Sequence, residues 1–329
     1  MPDINKSAME RVLTLELVRV TERAAIAAAL VRGRGDEEVA DQAAVDAMRT
    51  ELNRLDIRGR VVIGEGERDE APMLFIGEEV GTGNGPEVDI ALDPLEGTTI
   101  CAKNLPNSLA VIALTHKGGL LNAPDVYMDK IAIGPGYPEG LVDLDMSPAE
   151  AVERLAKAKG VRPRDISACI LDRPRHAKLI DSVRATGASI RLIGDGDVAG
   201  IIHTTDPTVT GIDIYMGTGG APEGVLAAAA LRCIGGQMRG RLIIDSEEKR
   251  ARAERMGISD PNRTYSAEDM ASGDVLFAAT GVTDGNLLDG VNFKNGMAST
   301  HTIVTRSHTG TQRWVRATHN IGEKFGFID

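Results

Sequence analysis

Hydrophobic and polar positions alternate in two regimes along this chain. Over residues 9–32 helix formers run up to Gly33, which predicts a first helix stopped by that glycine. After the Arg34-Gly35-Asp36 turn, Val45, Met48, Leu52 and Leu55 recur at helical spacing and predict a second helix to about Leu55. Asp41 lies on that apolar stripe, whereas Asp46 points away from it. A carboxylate on a core-facing stripe is costly unless paired or metal-bound, although the positive end of a helix also favours an acid in its first turn. Arg60–Ile63 reads as a short strand running into Gly64-Glu65-Gly66-Glu67-Arg68-Asp69-Glu70. The run Val88–Leu92 reads as a strand ended by Asp93-Pro94-Leu95-Glu96-Gly97-Thr98. Ser108–Thr115 and Lys130–Gly134 are further strands, and Tyr127 stands in the loop before the latter.

The pattern changes after the proline and glycine cluster at 134–140, which predicts two halves, 1–140 and 141–329. Ser147-Pro148-Ala149-Glu150 is a capping box with proline at the first helical position, starting a helix that stops near Gly160. Strand and helix then alternate three times. The strands are Ile166–Leu171, Ser189–Ile193 and Gly211–Met216, and each is followed by a polar turn and a helix. Such units predict a parallel sheet with ligands outside the carboxyl ends of its strands. Arg173, Pro174, Arg175, Asp195, Gly196, Asp197, Gly220 and Glu223 all fall in those turns. Beyond Gly236 the pattern is less regular. A helix over Glu247–Met256, a strand over Asp274–Thr280 and a hairpin around Ser307–Gly310 are expected.

Composition narrows the class. The chain has 329 residues, 42% hydrophobic and 26% charged, which suits a large α/β unit or two domains. A net charge of −11 argues against non-specific nucleic-acid binding. The run Ala24–Val31 is too short for a bilayer, and Asp3, Lys6, Glu10 and Arg11 interrupt any signal-like stretch. A cytoplasmic protein with no membrane partner is the expectation. Its three cysteines, Cys101, Cys169 and Cys233, sit in apolar settings and are expected as free buried thiols.

Several chemistries find no support. The six histidines lack zinc-ligand spacing, and no GxSxG elbow occurs. Gly217-Thr218-Gly219-Gly220 fails the dinucleotide fingerprint because Pro222 stands at its third glycine. Asp195-Gly196-Asp197-Val198 is similar to a phosphatase motif with a nucleophilic aspartate, but it lies mid-chain. The Asp93–Thr98 turn has two readings: an acidic surface turn before a helix, or two carboxylates, a glycine and a hydroxyl around a divalent metal and a phosphate. Asp41, Glu65, Asp93, Glu96 and Glu223 together form an oxygen-only donor set that suits Mg²⁺ or Mn²⁺. Arg173 and Arg175 suit phosphate. Metal-assisted phosphate ester hydrolysis is the chemistry these groups could perform.

Asp-Pro-Leu-Glu-Gly-Thr at 93–98 is similar to the signature of the lithium-sensitive, metal-dependent sugar and inositol phosphatases. More of the chain resembles the bacterial class II fructose-1,6-bisphosphatases. The segments are Arg-Val-Thr-Glu at 19–22, Gly-Arg-Gly-Asp at 33–36, Val-Ile-Gly-Glu-Gly-Glu at 62–67, Asp-Glu-Ala-Pro-Met-Leu at 69–74, Arg-Pro-Arg-His at 173–176, Asp-Gly-Asp-Val-Ala at 195–199 and Gly-Gly-Ala-Pro-Glu-Gly at 219–224. Arg173 and Glu96 stand where relatives also carry Lys and Asp. The resemblance implies an αβαβα layered sandwich assembled as a homodimer or homotetramer. It implies two or more Mn²⁺ or Mg²⁺ ions, with Asp41 and Glu65 on one and Asp93, Glu96 and Glu223 on the other. Asp41, Glu65 and Thr98 are the implied catalytic groups, and Thr98 orients the attacking water. Glu96, Gly97 and Thr98 meet the phosphate being cleaved; Tyr127, Arg173–Arg175, Asp195–Asp197 and Gly220 hold the sugar and its remote phosphate. The implied reaction releases the 1-phosphate of fructose 1,6-bisphosphate in gluconeogenesis. Sedoheptulose 1,7-bisphosphate, an inositol phosphate, or a silent sugar-phosphate sensor are the alternatives.

Overall fold

The computed structural model describes residues 12–66 and 73–322, so Glu67, Asp69 and Glu70 of the acidic turn lie outside the described residues. Two compact units emerge. One comprises the chain up to Gly119 together with the chain from Asp274 onward; the other is Leu120–Gly273.

In the first unit, helices α1 (Leu13–Val31) and α2 (Glu37–Leu52) pack on an eight-stranded mixed sheet. The Asp36 carboxylate caps α2 by accepting from the Val39 N–H, and the helix ends at Leu52, three residues before the expected Leu55, with Asn53 as its C-cap. The strands are β1 (Arg58–Ile63), β2 (Glu79–Val80), β3 (Glu87–Glu96), β4 (Leu109–His116), β11 (Val275–Gly281), β12 (Asn292–Lys294), β13 (Met297–Arg306) and β14 (Thr311–Asn320). Their order is β12-β13-β11-β4-β3-β1-β2, with β14 on β13. Val88, Ile90 and Leu92 on β3, with Ala110, Ile112 and Leu114 on β4, alternate toward one face. There they meet Leu17, Val20 and Ala24 of α1 and Ala44 and Met48 of α2 in one core. Each large aliphatic side chain buried there contributes about 2 kcal/mol.

The second unit holds a six-stranded sheet in the order β10-β9-β5-β8-β6-β7. Its strands are β5 (Tyr127–Ile133), β6 (Ser167–Leu171), β7 (Ser189–Ile193), β8 (Ile214–Gly220), β9 (Gln237–Leu242) and β10 (Thr264–Ser266). Helices α4 (Pro148–Lys159) and α5 (Ala177–Ala185) close a core of Ile131, Ile133, Val152, Leu155, Ile170, Val183 and Met216. The preceding α3 (Thr98–Ala102) belongs to the first unit. Ser147 caps α4 as its sequence indicates, and Gly160 (φ 73°) ends it in the left-handed conformation that glycine adopts without strain. On the other side α6 (Asp197–Ile202) packs on α7 (Ala221–Ile234).

The α/β class holds in both units. The halves do not divide at 140/141, because β5 is hydrogen-bonded to β8 and β9 while β11–β14 rejoin the first sheet. Strand pairing, and not the proline and glycine cluster, sets the division. Only β6, β7 and β8 are parallel in the second sheet; β5, β9 and β10 run antiparallel. Strand β9 (Gln-Met-Arg-Gly-Arg-Leu) escaped the hydrophobic pattern because alternate positions face outward and carry polar groups. Strand β13 enters the expected hairpin at Ser307–Gly310 from as far back as Met297, with its threonines and His301 buried inside the sheet.

Candidate active site

In the first unit the acidic residues gather where strands end. β1 and β3 are parallel neighbours with Ile63 opposite Ala91. Glu65 and Asp93 therefore lie two residues beyond that pair, at the carboxyl ends of adjoining strands. Gly64 has no freedom to be anything larger, since a Cβ there would overlap the Leu74 carbonyl. On β3 the ladder with β4 slips between Asp93 and Glu96, which leaves Pro94 and Leu95 opposite Ala110. Proline has no N–H to give, and a bulge needs none. The bulge bends the strand, and the Asp93 carboxylate accepts the Leu95 N–H at 3.0 Å. Glu96, the last strand residue, is 4% exposed. Gly97 follows with φ 79°, and Thr98, half-buried, opens α3. Of the two readings of this turn, a freely solvated acidic surface does not describe Glu96.

Asp41 lies half-buried in the first turns of α2, the helix that packs on α3. Burial pushes its carboxyl above the ordinary carboxylate value.

In the second unit the turn residues surround the end of β8. Arg173 is half-buried, with its guanidinium on the Asp172 carbonyl at 3.1 Å, and Pro174 opens a 3₁₀ turn through His176. Arg175 donates Nε and Nη2 to the Thr218 carbonyl at 3.2 and 2.7 Å, and its guanidinium lies 4.7 Å from the centroid of the Tyr127 ring. Tyr127 itself pairs with Gly220 across the β5–β8 ladder and is 49% exposed. That stack leaves an aromatic face and a cation open to a ligand. Asp195 is half-buried in the turn after β7; Gly196 (φ 82°) caps α6, and Asp197 is its first residue. The Asp197 carboxylate pairs with the Lys130 ammonium, whose side chain is 0% exposed and also donates to the Gly220 carbonyl at 2.8 Å. Gly220 ends β8, and Glu223 stands in the first turn of α7. A Cβ on Gly219 would overlap the Asp197 carboxylate, and one on Gly220 the Glu223 carboxylate.

One expectation changes here. Gly217–Gly220 is strand and not loop, with α7 starting directly at Ala221. Among the described residues no group of three or more His, Cys, Asp or Glu side chains is arranged around one ion. The donor chemistry of each unit suits a hard divalent cation: Asp41, Glu65, Asp93 and Glu96 in the first and Glu223 in the second are all oxygen donors, and a cation would offset the burial of Asp41. Lys130 and His176 were missed as site residues by sequence reasoning. For Lys130 the signal existed, because a lysine inside the apolar run Tyr127–Ile133 demands a partner.

The family model described as bacterial fructose-1,6-bisphosphatase, glpX-encoded, matches residues 11–319. A relative from Synechococcus sp. (strain JA-3-3Ab), named D-fructose 1,6-bisphosphatase class 2/sedoheptulose 1,7-bisphosphatase, is 46% identical over 94% of this chain and 96% of its own length. The protein of the same name from Synechococcus elongatus is 45% identical over 94% of this chain and 97% of its own. Among solved structures, the extragenic suppressor protein suhB from Bartonella henselae aligns at 18% identity with a TM-score of 0.33, over 59% of this chain and 74% of that one.

Proposed function

This chain belongs to the bacterial class II fructose-1,6-bisphosphatases, and within that family's phosphate monoester hydrolysis we propose how its own residues divide the work. The reaction releases the 1-phosphate of D-fructose 1,6-bisphosphate as inorganic phosphate and leaves fructose 6-phosphate. The observation that carries the substrate reading is the Arg175 guanidinium, held by the Thr218 carbonyl and stacked on exposed Tyr127. A planar cation so oriented suits the phosphate remote from the reacting one, with Arg173 beside it and Pro174 stiffening the turn between them. Asp195 presents its carboxylate, and Gly196 and Asp197 their backbone groups, to sugar hydroxyls, and Gly220 leaves the approach free of a side chain. At the reacting end, Glu96, Gly97 and Thr98 meet the phosphate, and the Thr98 hydroxyl aligns the attacking water in line with the scissile bond.

The family is one of metal-dependent phosphatases, and Asp41, Glu65, Asp93 and Glu96 in the first unit and Glu223 in the second are the proposed ligands of two or more Mn²⁺ or Mg²⁺ ions. Bound ions would neutralise phosphate charge, acidify the attacking water and stabilise the leaving oxygen. Asp41 and Glu65 carry the proposed catalytic role beside Thr98 by holding that charge in place.

The double name of the Synechococcus relatives favours a second substrate, sedoheptulose 1,7-bisphosphate, handled by the same residues. A homodimer or homotetramer in the cytoplasm completes the proposal; among the described residues no helix is long and apolar enough to cross a membrane. The test is phosphate release from both bisphosphates by chelator-stripped protein, before and after adding Mn²⁺ or Mg²⁺, with Glu223→Gln alongside. Metal-dependent release that Glu223→Gln abolishes, in a folded variant, is expected. Wild-type turnover by Glu223→Gln would remove Glu223 from the ligand set.

A further inference from the structure

His176 is buried, 2% exposed, at the end of the Arg173–His176 turn. Both ring nitrogens are engaged, and their partners leave no choice of tautomer. The Leu171 carbonyl, 2.7 Å from Nδ1, can only accept, so Nδ1 carries the proton. The Thr218 N–H, 2.8 Å from Nε2, can only donate, so Nε2 is bare. Burial, the largest influence, pushes the imidazole pKa below its ordinary value, in keeping with that neutral form. The ring also lies where strand β8 is thinnest: Gly217 has φ 151°, and a Cβ on it would come within 3.2 Å of His176.

The Thr218 residue is thereby gripped from both ends. His176 takes its N–H while Arg175, one residue earlier in the turn, takes its carbonyl. Its hydroxyl is held in addition by Asp129 of β5. From this geometry we infer that His176 is a positioning residue: it locks the arginine turn to the end of β8 and so fixes where the Arg175 guanidinium meets the remote phosphate. His176 touches no substrate in this scheme and acts through Arg175; the inference rests on the proposed role of Arg175.

The test is a double-mutant cycle in the full-length, metal-loaded enzyme with His176→Phe, Arg175→Ala and the pair. Phenylalanine keeps the ring volume and removes both hydrogen bonds. Two substrates are compared: fructose 1,6-bisphosphate and p-nitrophenyl phosphate, which has no remote phosphate. The ratio of their kcat/KM values is expected to fall about tenfold in His176→Phe, mainly through KM for the bisphosphate. The pair should be no worse than Arg175→Ala alone. If His176→Phe does not fold, His176→Asn is read in the same cycle. Equal losses on both substrates, or losses that multiply in the pair, overturn the positioning role while leaving Arg175 in place. An Arg175→Ala enzyme with an unaltered ratio overturns the reading of Arg175 itself and is thus told apart.

Discussion

Replacing Lys130 by methionine is the sharpest probe of how the second unit is built. Methionine matches the stem in length and removes only the ammonium. In the native protein that ammonium is 0% exposed, pairs with an Asp197 carboxylate that is 7% exposed, and donates to the Gly220 carbonyl at 2.8 Å. Removing one partner of a buried pair strands the other charge, at a cost of about 3–5 kcal/mol. The carbonyl that loses its donor contributes within that figure and not on top of it, since both losses come from one ammonium. With a urea m-value of about 2 kcal/mol per M, the unfolding midpoint falls by roughly 2 M. The assay is urea unfolding followed by far-UV circular dichroism, with wild type, Lys130→Met, Asp197→Asn and the double variant side by side. The double variant has no stranded charge and should recover at least half of the Lys130→Met loss, giving a coupling of about 1–3 kcal/mol. A midpoint shift below about 0.5 M in Lys130→Met, with m unchanged, would refute the picture of a desolvated pair. So would a double variant as unstable as the sum of the two.

Three further outcomes are expected. His203 is 5% exposed, and burial lowers its pKa from 6.5 to about 4. The unfolded chain therefore takes the proton first, so the His203 contribution is whole above about pH 6.5 and is lost as pH falls toward 4. It amounts to roughly 3 kcal/mol, and His203→Phe should make the fall in urea midpoint over that window shallower; an identical slope would sink the assignment. The free thiols of Cys101, Cys169 and Cys233 are buried, with Cys101 pushed up to about 11 and Cys169 to about 12. A thiol-disulfide dye should label none quickly in native protein and all three in guanidinium chloride; rapid native labelling would contradict the burial. Asp195→Ala should chiefly raise KM for the bisphosphate, because its proposed contact is to sugar hydroxyls and not to the reacting phosphorus. An unchanged KM would take Asp195 out of the site.

What the amino-acid sequence determined alone is local. The α2 stripe, the Ser147 cap, the Gly97 and Gly196 turns, and the gathering of carboxylates at strand ends all depend on residues within a few positions of one another. Periodicity and turn chemistry read such features directly, and the Arg-Pro-Arg-His and Asp-Pro-Leu-Glu-Gly-Thr segments pointed to the family that the whole-chain match establishes. Tertiary structure decided what depends on pairing across long separations. Lys130 and Asp197 are 67 residues apart, and His176 and Thr218 are 42 apart. Nothing in the neighbourhood of Lys130 says which carboxylate will neutralise it, so its place beside Gly220 was invisible in one dimension. The same cause moved the domain division: β5 could add to either sheet by its own pattern, and its ladders with β8 and β9 settled the choice. A strand carries its alternation in its sequence but takes its neighbours from the fold, because backbone hydrogen bonds are alike in every strand and only the packing of whole sheets distinguishes one edge from another.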